Sequence, residues 1–130
     1  MIVLDASAAI DWLLQTPAGK QIGGRIYSRR QSLHTAHLLD LEVAQVLRRL
    51  VRQNEIPSHR AGQAIDDLMA LRITRYPHSL LLPRIWQLRN HISAYDAAYV
   101  VVAEKLGAPL LTRDRRLAAA SGHAAAIELF

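Results

Sequence analysis

Four acidic residues stand where apolar runs give way to helix-like segments: Asp5, Glu42, Asp96 and Asp114. Asp5 directly follows Ile2-Val3-Leu4, and Asp114 follows Leu111-Thr112. Glu42 falls in the first turn of an amphipathic segment just after Asp40, and Asp96 comes three residues after Ser93. Taken singly, each has an ordinary use. Asp5 and Asp114 suit helix N-caps, Ser93-Ala94-Tyr95-Asp96 looks like a capping box, and Glu42 suits the positive end of a helix dipole with Asp40 as the cap. Gathered in one place they would repel, by about 4 kcal/mol for two unit charges ~4 Å apart at an effective dielectric of about 20. A hard divalent cation reverses that sign, because Mg²⁺ takes oxygen ligands and keeps several waters. Such a site suits hydrolysis of a phosphodiester, since a metal makes a water nucleophilic and a second one, if present, stabilises the leaving oxygen. Ser7 and Thr112 are placed to orient carboxylates or waters around it; their other use is to bond backbone at a helix start.

The elements that would position these acids alternate along the chain. Ile2-Val3-Leu4 reads as a buried strand, Ala6 to Gln15 as a helix stopped near Pro17, and Ala18 to Arg30 as a helix weakened by Gly23-Gly24. Leu33 to Ala36 is a short strand, and Leu41 to Gln53 a helix with Leu41, Ala44, Leu47 and Val51 at helical spacing. Pro57-Ser58 opens a helix to about Leu71, Arg72 to Tyr76 is strand-like, and Pro83 starts a helix to about Asn90. Ser93 to Leu106 is the most apolar helix, stopped by Gly107. Pro109-Leu110-Leu111 is a strand, Arg115 to Ala120 a short helix and Ala126 to Leu129 a last strand. Strands interleaved with helices predict an α/β layer structure with a mainly parallel sheet, whose ligands bind beyond the carboxyl ends of the strands.

The 130 residues fit one domain, spanning 1–130, with an apolar fraction of 51% and a charged fraction of 21% that suit a globular core. The absence of cysteine excludes disulfides, thiolate zinc sites and thiol catalysis, and it suits a reducing cytoplasm. No secretory leader pattern is visible, and the longest apolar run, Ala97 to Ala103, is far below the ~20 residues that span a bilayer. The expectation is a cytoplasmic protein without a membrane segment. The formal charge is +5, with arginine supplying all but Lys20 and Lys105 of the sixteen basic residues. Arginine's planar fork matches phosphate oxygens, so the surface hints at nucleic acid, although an arginine-favouring genome gives the same composition.

The same residues carry a family resemblance. Ile2-Val3-Leu4-Asp5-Ala6-Ser7, Leu39-Asp40-Leu41-Glu42-Val43, Tyr95-Asp96-Ala97-Ala98-Tyr99-Val100 and Leu111-Thr112-Arg113-Asp114-Arg115-Arg116-Leu117 resemble, in order and over the whole chain, the motifs of PIN-domain toxins of the VapC type. The resemblance implies a three-layer α/β/α sandwich and an endoribonuclease that is the toxin of a type II toxin–antitoxin pair. It implies that Asp5, Glu42, Asp96 and Asp114 bind Mg²⁺ or Mn²⁺. It further implies a structured RNA substrate such as transfer RNA, a homodimer, and inhibition by a cognate antitoxin. His37 stands where the family more often has proline.

For RNA contact the candidates are Arg113, Arg115 and Arg116, which flank Asp114, together with Arg84 and His37. Trp86 with Arg84 and Arg89 has the makings of a base-stacking site, but Trp86 is expected in the core with the arginines on a solvated face. Tyr95 and Tyr99, at i, i+4 spacing, are expected to pack. Two imidazoles at His34 and His37 are too few for a zinc motif. The rival to an enzyme is a PIN-like RNA- or partner-binding module without significant turnover.

Overall fold

The structure is a computed structural model that describes residues 1–130. Five strands form one parallel sheet: β1 (Ile2–Leu4), β2 (Leu33–Ala36), β3 (Ile73–Tyr76), β4 (Leu110–Thr112) and β5 (Ile127–Leu129), in the spatial order β3-β2-β1-β4-β5. The central strand registers Ile2 with Leu33 on one side and Val3 with Leu110 on the other. All three β1 residues are fully buried, as a parallel strand covered on both faces requires.

Two helical layers cover the sheet. On one face Ile2, Leu4, Leu33 and Leu111 pack with Trp12 of α1 (Ala6–Leu14) and with Ile22 and Ile26 of α2 (Pro17–Tyr27). On the other, Val3 and Leu110 meet the apolar sides of α3 (Leu38–Arg52), α4 (Ser58–Ala70), α5 (Leu82–Gln87) and α6 (Ala94–Leu106). A last short helix, α7 (Arg115–Ala119), follows β4. The expected three-layer α/β/α arrangement is what is found.

Local chemistry explains most boundaries. Thr16 caps α2 through Gly19 N–H, with Pro17 at the first helical position. Gly107, at φ 59°, ends α6 in the left-handed conformation. The expected weakness at Gly23-Gly24 does not appear, because α2 runs unbroken through both. Gly19 and Gly23 serve close packing against α1, where a Cβ would sit 1.8 Å from the Asp11 carbonyl oxygen and 3.0 Å from the Trp12 indole nitrogen, while Gly24 faces open space.

Three expected boundaries move, the first being the end of α2, at Tyr27 rather than Arg30. Helix α3 starts at Leu38 rather than Leu41, with His37 at its cap and no side-chain capping bond. Asp40 is therefore no cap; it lies inside the first turn and pairs with Arg75 at 2.8 Å. Glu42 accordingly sits one turn deeper in the helix than expected. The helix opened by Pro83 ends at Gln87, and a 3₁₀ turn over His78–Leu80 precedes it.

Candidate active site

The chain crosses from one side of β1 to the other between β3 and β4, so β1 and β4 flank the point where strand order reverses. In open parallel sheets that crevice is where ligands bind. Asp5 leaves the carboxyl end of β1, and Asp114 lies just past β4. Helices α3 and α6 deliver Glu42 and Asp96 to the same edge. All four acids line one pocket of about 180 Å³, together with Ser7, Ile10, Val46 and Tyr99.

Asp5 is held from three directions. Its Oδ1 accepts from Ser7 Oγ at 2.7 Å and from Ala8 N–H at 2.9 Å, the latter making it the N-cap of α1. Thr112 Oγ1 donates to its Oδ2 across the β1–β4 seam. Thr112 also accepts Asp114 N–H at 3.0 Å, and Ser7 Oγ accepts Arg113 N–H at 2.9 Å. The two hydroxyls expected to orient the acids thus tie the β1 and β4 termini to one another. On the far side of β1, the buried Thr35 hydroxyl donates to Leu4 carbonyl oxygen at 2.8 Å, anchoring the residue before Asp5.

The electrostatics are those of an uncompensated cluster. Burial pushes the Asp5 carboxyl up to about 6, against the pull of its hydrogen bonds, and the charge of Asp96 adds to the rise. Asp96 is raised by burial and then by Asp114, with Ser93 and the Arg116 charge pulling back. Asp114 caps α7 through one oxygen, Oδ1, which accepts from Arg116 and Leu117 N–H. Ser93 accepts Asp96 N–H at 3.1 Å, which is one half of the expected capping box. Asp5 and Asp114 thus both cap a helix and join the cluster.

The site gathers four carboxylates and the Ser7 and Thr112 hydroxyls, with no salt bridge to any of the four acids. No three His, Asp or Glu side chains stand close enough together here to enclose a metal ion. An all-oxygen donor set of this kind suits a hard divalent cation.

Comparison with known proteins agrees. Residues 2–122 match the PIN domain model. The chain is similar to Ribonuclease VapC1 of Mycobacterium tuberculosis, with 44% identity over 131 residues covering 98% of this chain and 96% of the relative. It is 40% identical to Ribonuclease VapC12 of the same species over 129 residues, covering 99% and 98% respectively. The chain belongs to the PIN-domain VapC ribonuclease family. Among solved structures, the crystal structure of PAE2754 from Pyrobaculum aerophilum superposes with a TM-score of 0.70 at 26% identity, covering 97% of this chain and 81% of that one. PIN-domain VapC nucleases are generally metal-dependent.

Of the remaining candidates in this VapC-family chain, Arg116 stands beside Asp96, lining the adjoining pocket with it, and Arg115 is exposed next to it. Arg84 is placed elsewhere: it forms a two-pronged pair with Glu104 at 2.9 and 3.0 Å. Glu104 lies eight residues beyond Asp96, about 12 Å further along α6. Arg113 is likewise engaged, with Asp11 at 2.6 Å and the Phe130 carbonyl. His37 is exposed, its ring edge-on to His78. Trp86, expected in the core, is 67% exposed under the Arg89 guanidinium.

Tyr99 was legible only as packing, yet it reaches the site. Its ring is 1% exposed, and its hydroxyl donates to Glu42 Oε1 at 2.7 Å. Burial, then the Glu42 bond and charge, push its own ionisation far up, so it stays a donor. The signal was its position three residues after Asp96, which puts both on one helix face.

Proposed function

We propose that this chain is a metal-dependent endoribonuclease that hydrolyses RNA phosphodiester bonds as the toxin of a type II toxin–antitoxin system. Residues 1–130 act as one PIN-like domain, and Asp5, Glu42, Asp96 and Asp114 hold Mg²⁺ or Mn²⁺. The observation that carries the reading is the convergence of all four acids on one pocket at the strand-order reversal, with Asp5 and Asp96 both raised. Capping accounts for Asp5 and Asp114 but gives no reason for bringing Glu42 and Asp96 to them.

A bound ion would supply Lewis acidity at the scissile phosphate and lower the pKa of a coordinated water. The chain's own residues set the geometry. Ser7 and Thr112 fix the Asp5 carboxylate, Tyr99 fixes Glu42, and the Arg116 guanidinium, beside Asp96 in the adjoining pocket, and the exposed Arg115 are available to meet phosphate oxygens as negative charge builds up. The substrate is a structured RNA such as transfer RNA, met in the cytoplasm. A cognate antitoxin restrains the enzyme by covering the site. Homodimers form through an apolar cavity of about 190 Å³ lined by Leu38, Leu82, Ile85, Tyr95 and Ala98, beside which Leu41 is 74% exposed. No helix is long and apolar enough to cross a membrane.

The test is incubation of antitoxin-free protein with total RNA under Mg²⁺, Mn²⁺ or EDTA, with Asp96→Asn alongside. Discrete fragments that need metal and vanish in the variant are expected. Absence of metal-dependent cleavage while RNA is still bound would turn the reading into that of a binding module.

A further inference from the structure

A second pocket opens on the other side of Asp96. It has a volume of about 290 Å³ and is lined by His91, Ile92, Ser93, Arg116 and Leu117, with Asp96 as the wall it shares with the acid pocket. That volume falls just below the ~300–1,000 Å³ range of ligand sites, enough for a single small group. Its walls combine two kinds of chemistry. Arg116 and His91 are both exposed, and neither side chain makes a hydrogen bond or ion pair within the chain. The half-buried Ile92, the buried Leu117 and Ala120 supply the apolar part of the same lining.

The loop after α7 is shaped around His91. Gly122 has φ 86°, and a Cβ there would come within 2.4 Å of the His91 imidazole. The ring is thereby held in position although it faces solvent. Two planar cation-capable groups beside an apolar floor, next to the site of phosphodiester cleavage, match one unpaired nucleotide: guanidinium for phosphate, imidazole and guanidinium planes for the base face. A hydrated metal would find no apolar floor useful, and a continuous duplex would not present a single splayed base to so small a recess.

We propose that this pocket is a nucleotide subsite, seating an unpaired nucleotide adjacent to the scissile phosphate between Arg116 and His91. The proposal rests on the ribonuclease reading of the acid pocket. It makes the preferred substrate position a loop or bulge of a folded RNA, where a nucleotide can leave the stack.

The experiment measures fluorescence anisotropy of a labelled single-stranded hexaribonucleotide in EDTA, where no turnover occurs. An abasic hexamer serves as the second probe. Arg116→Ala is expected to weaken the ordinary hexamer roughly tenfold and His91→Ala by a similar factor. Exposed Arg48 on α3, removed in Arg48→Ala, gives the loss due to one positive charge alone. The abasic probe should lose affinity with Arg116→Ala but not with His91→Ala. His91→Phe, which keeps a stacking face, should restore much of the binding. Equal effects of Arg116→Ala and Arg48→Ala, or an indifferent His91→Ala, would overturn the subsite. Melting curves of each variant separate unfolding from lost contact. With Mg²⁺ present, kcat/KM on a cleavable RNA keeps the two readings apart. Cleavage that persists unchanged in both variants rejects the subsite and spares the nuclease, whereas no cleavage by the parent protein rejects the nuclease itself.

Discussion

The eleven acids of this chain divide into two populations that meet very different fates. Asp11, Asp40, Glu104 and Glu128 each face an arginine at 2.6–2.9 Å, on the flanks of the molecule. Asp5, Glu42, Asp96 and Asp114 face one another and have no salt bridge. Glu55, Asp66 and Asp67 are simply exposed. Fourteen arginines were at hand, and four settle on acids that do nothing but hold elements together. Leaving the innermost acids without such partners makes the pocket a place where positive charge must come from outside. The pKa directions say the same: the arginine beside Glu104 lowers its carboxyl, while burial raises Asp5 to about 6.

The largest test of that contrast is Asp5→Asn. Removing one proposed metal ligand should cost several kcal/mol of transition-state stabilisation, and hence ~10³-fold or more in cleavage rate. The same change should stabilise the metal-free fold at pH 7. A carboxyl whose folded pKa lies above its ordinary 3.8 destabilises the folded state once ionised. Stability in EDTA should therefore fall as pH rises from about 4 to about 6 and level off above, by up to about 3 kcal/mol for a shift of two units. Asp5→Asn should flatten that slope. A lower Tm for the variant than for the parent in EDTA at pH 7 would mean that the carboxylate is already compensated within the chain.

A smaller effect is expected one layer out. Tyr99→Phe removes only the hydroxyl that holds Glu42, leaving the buried ring in place. Partners of ligating carboxylates typically contribute ~10–100-fold to metal affinity. Calorimetric titration with Mn²⁺ should show binding at least ~10-fold weaker, with a fold cost of about 1 kcal/mol for the lost bond. Undiminished Mn²⁺ affinity would reduce Tyr99 to packing.

The acids themselves were legible because each follows a strand or opens a helix, and chain order alone sends such positions toward one sheet edge. The same logic made the parallel sheet and both covering layers readable from Ile2-Val3-Leu4 and the periodic helices. What pairing does to a side chain was not legible. Arg84 and Arg113 have the same composition signal as Arg116, and only the tertiary fold decides that Glu104 and Asp11 claim the first two. Asp40 looked like a cap because local propensity offers one there; the Arg75 pair across to β3 outcompetes that use. Trp86 was assigned to the core by size, whereas α5 buries Ile85 and leaves the indole outside under Arg89. Tyr99 hid in a run of small apolar residues, where a hydroxyl's partner is invisible without the neighbouring helix.

The smallest expected effect sits on the paired side of the comparison. Glu104 accepts two bonds from Arg84 and one from Ala124 N–H. Glu104→Gln keeps the shape and most acceptor capacity but loses the charge, so the cost at pH 7 should be about 1 kcal/mol or less. Cleavage should change far less than in Asp5→Asn, because this pair does not touch the acid pocket and reaches the loop beside His91 only through Arg84 on the Gly122 carbonyl at 3.3 Å and Glu104 on Ala124 N–H. The pH dependence should run opposite to that of Asp5. A carboxyl with a lowered folded pKa contributes stability above its ordinary 4.5 and loses it as pH falls below that value. The Tm gap between parent and Glu104→Gln should accordingly close on acidification, while the gap for Asp5→Asn, of reversed sign, closes over the window from about 6 down to 3.8. Parallel slopes in the two variants would erase the distinction between the arginine-paired and the unpaired acids.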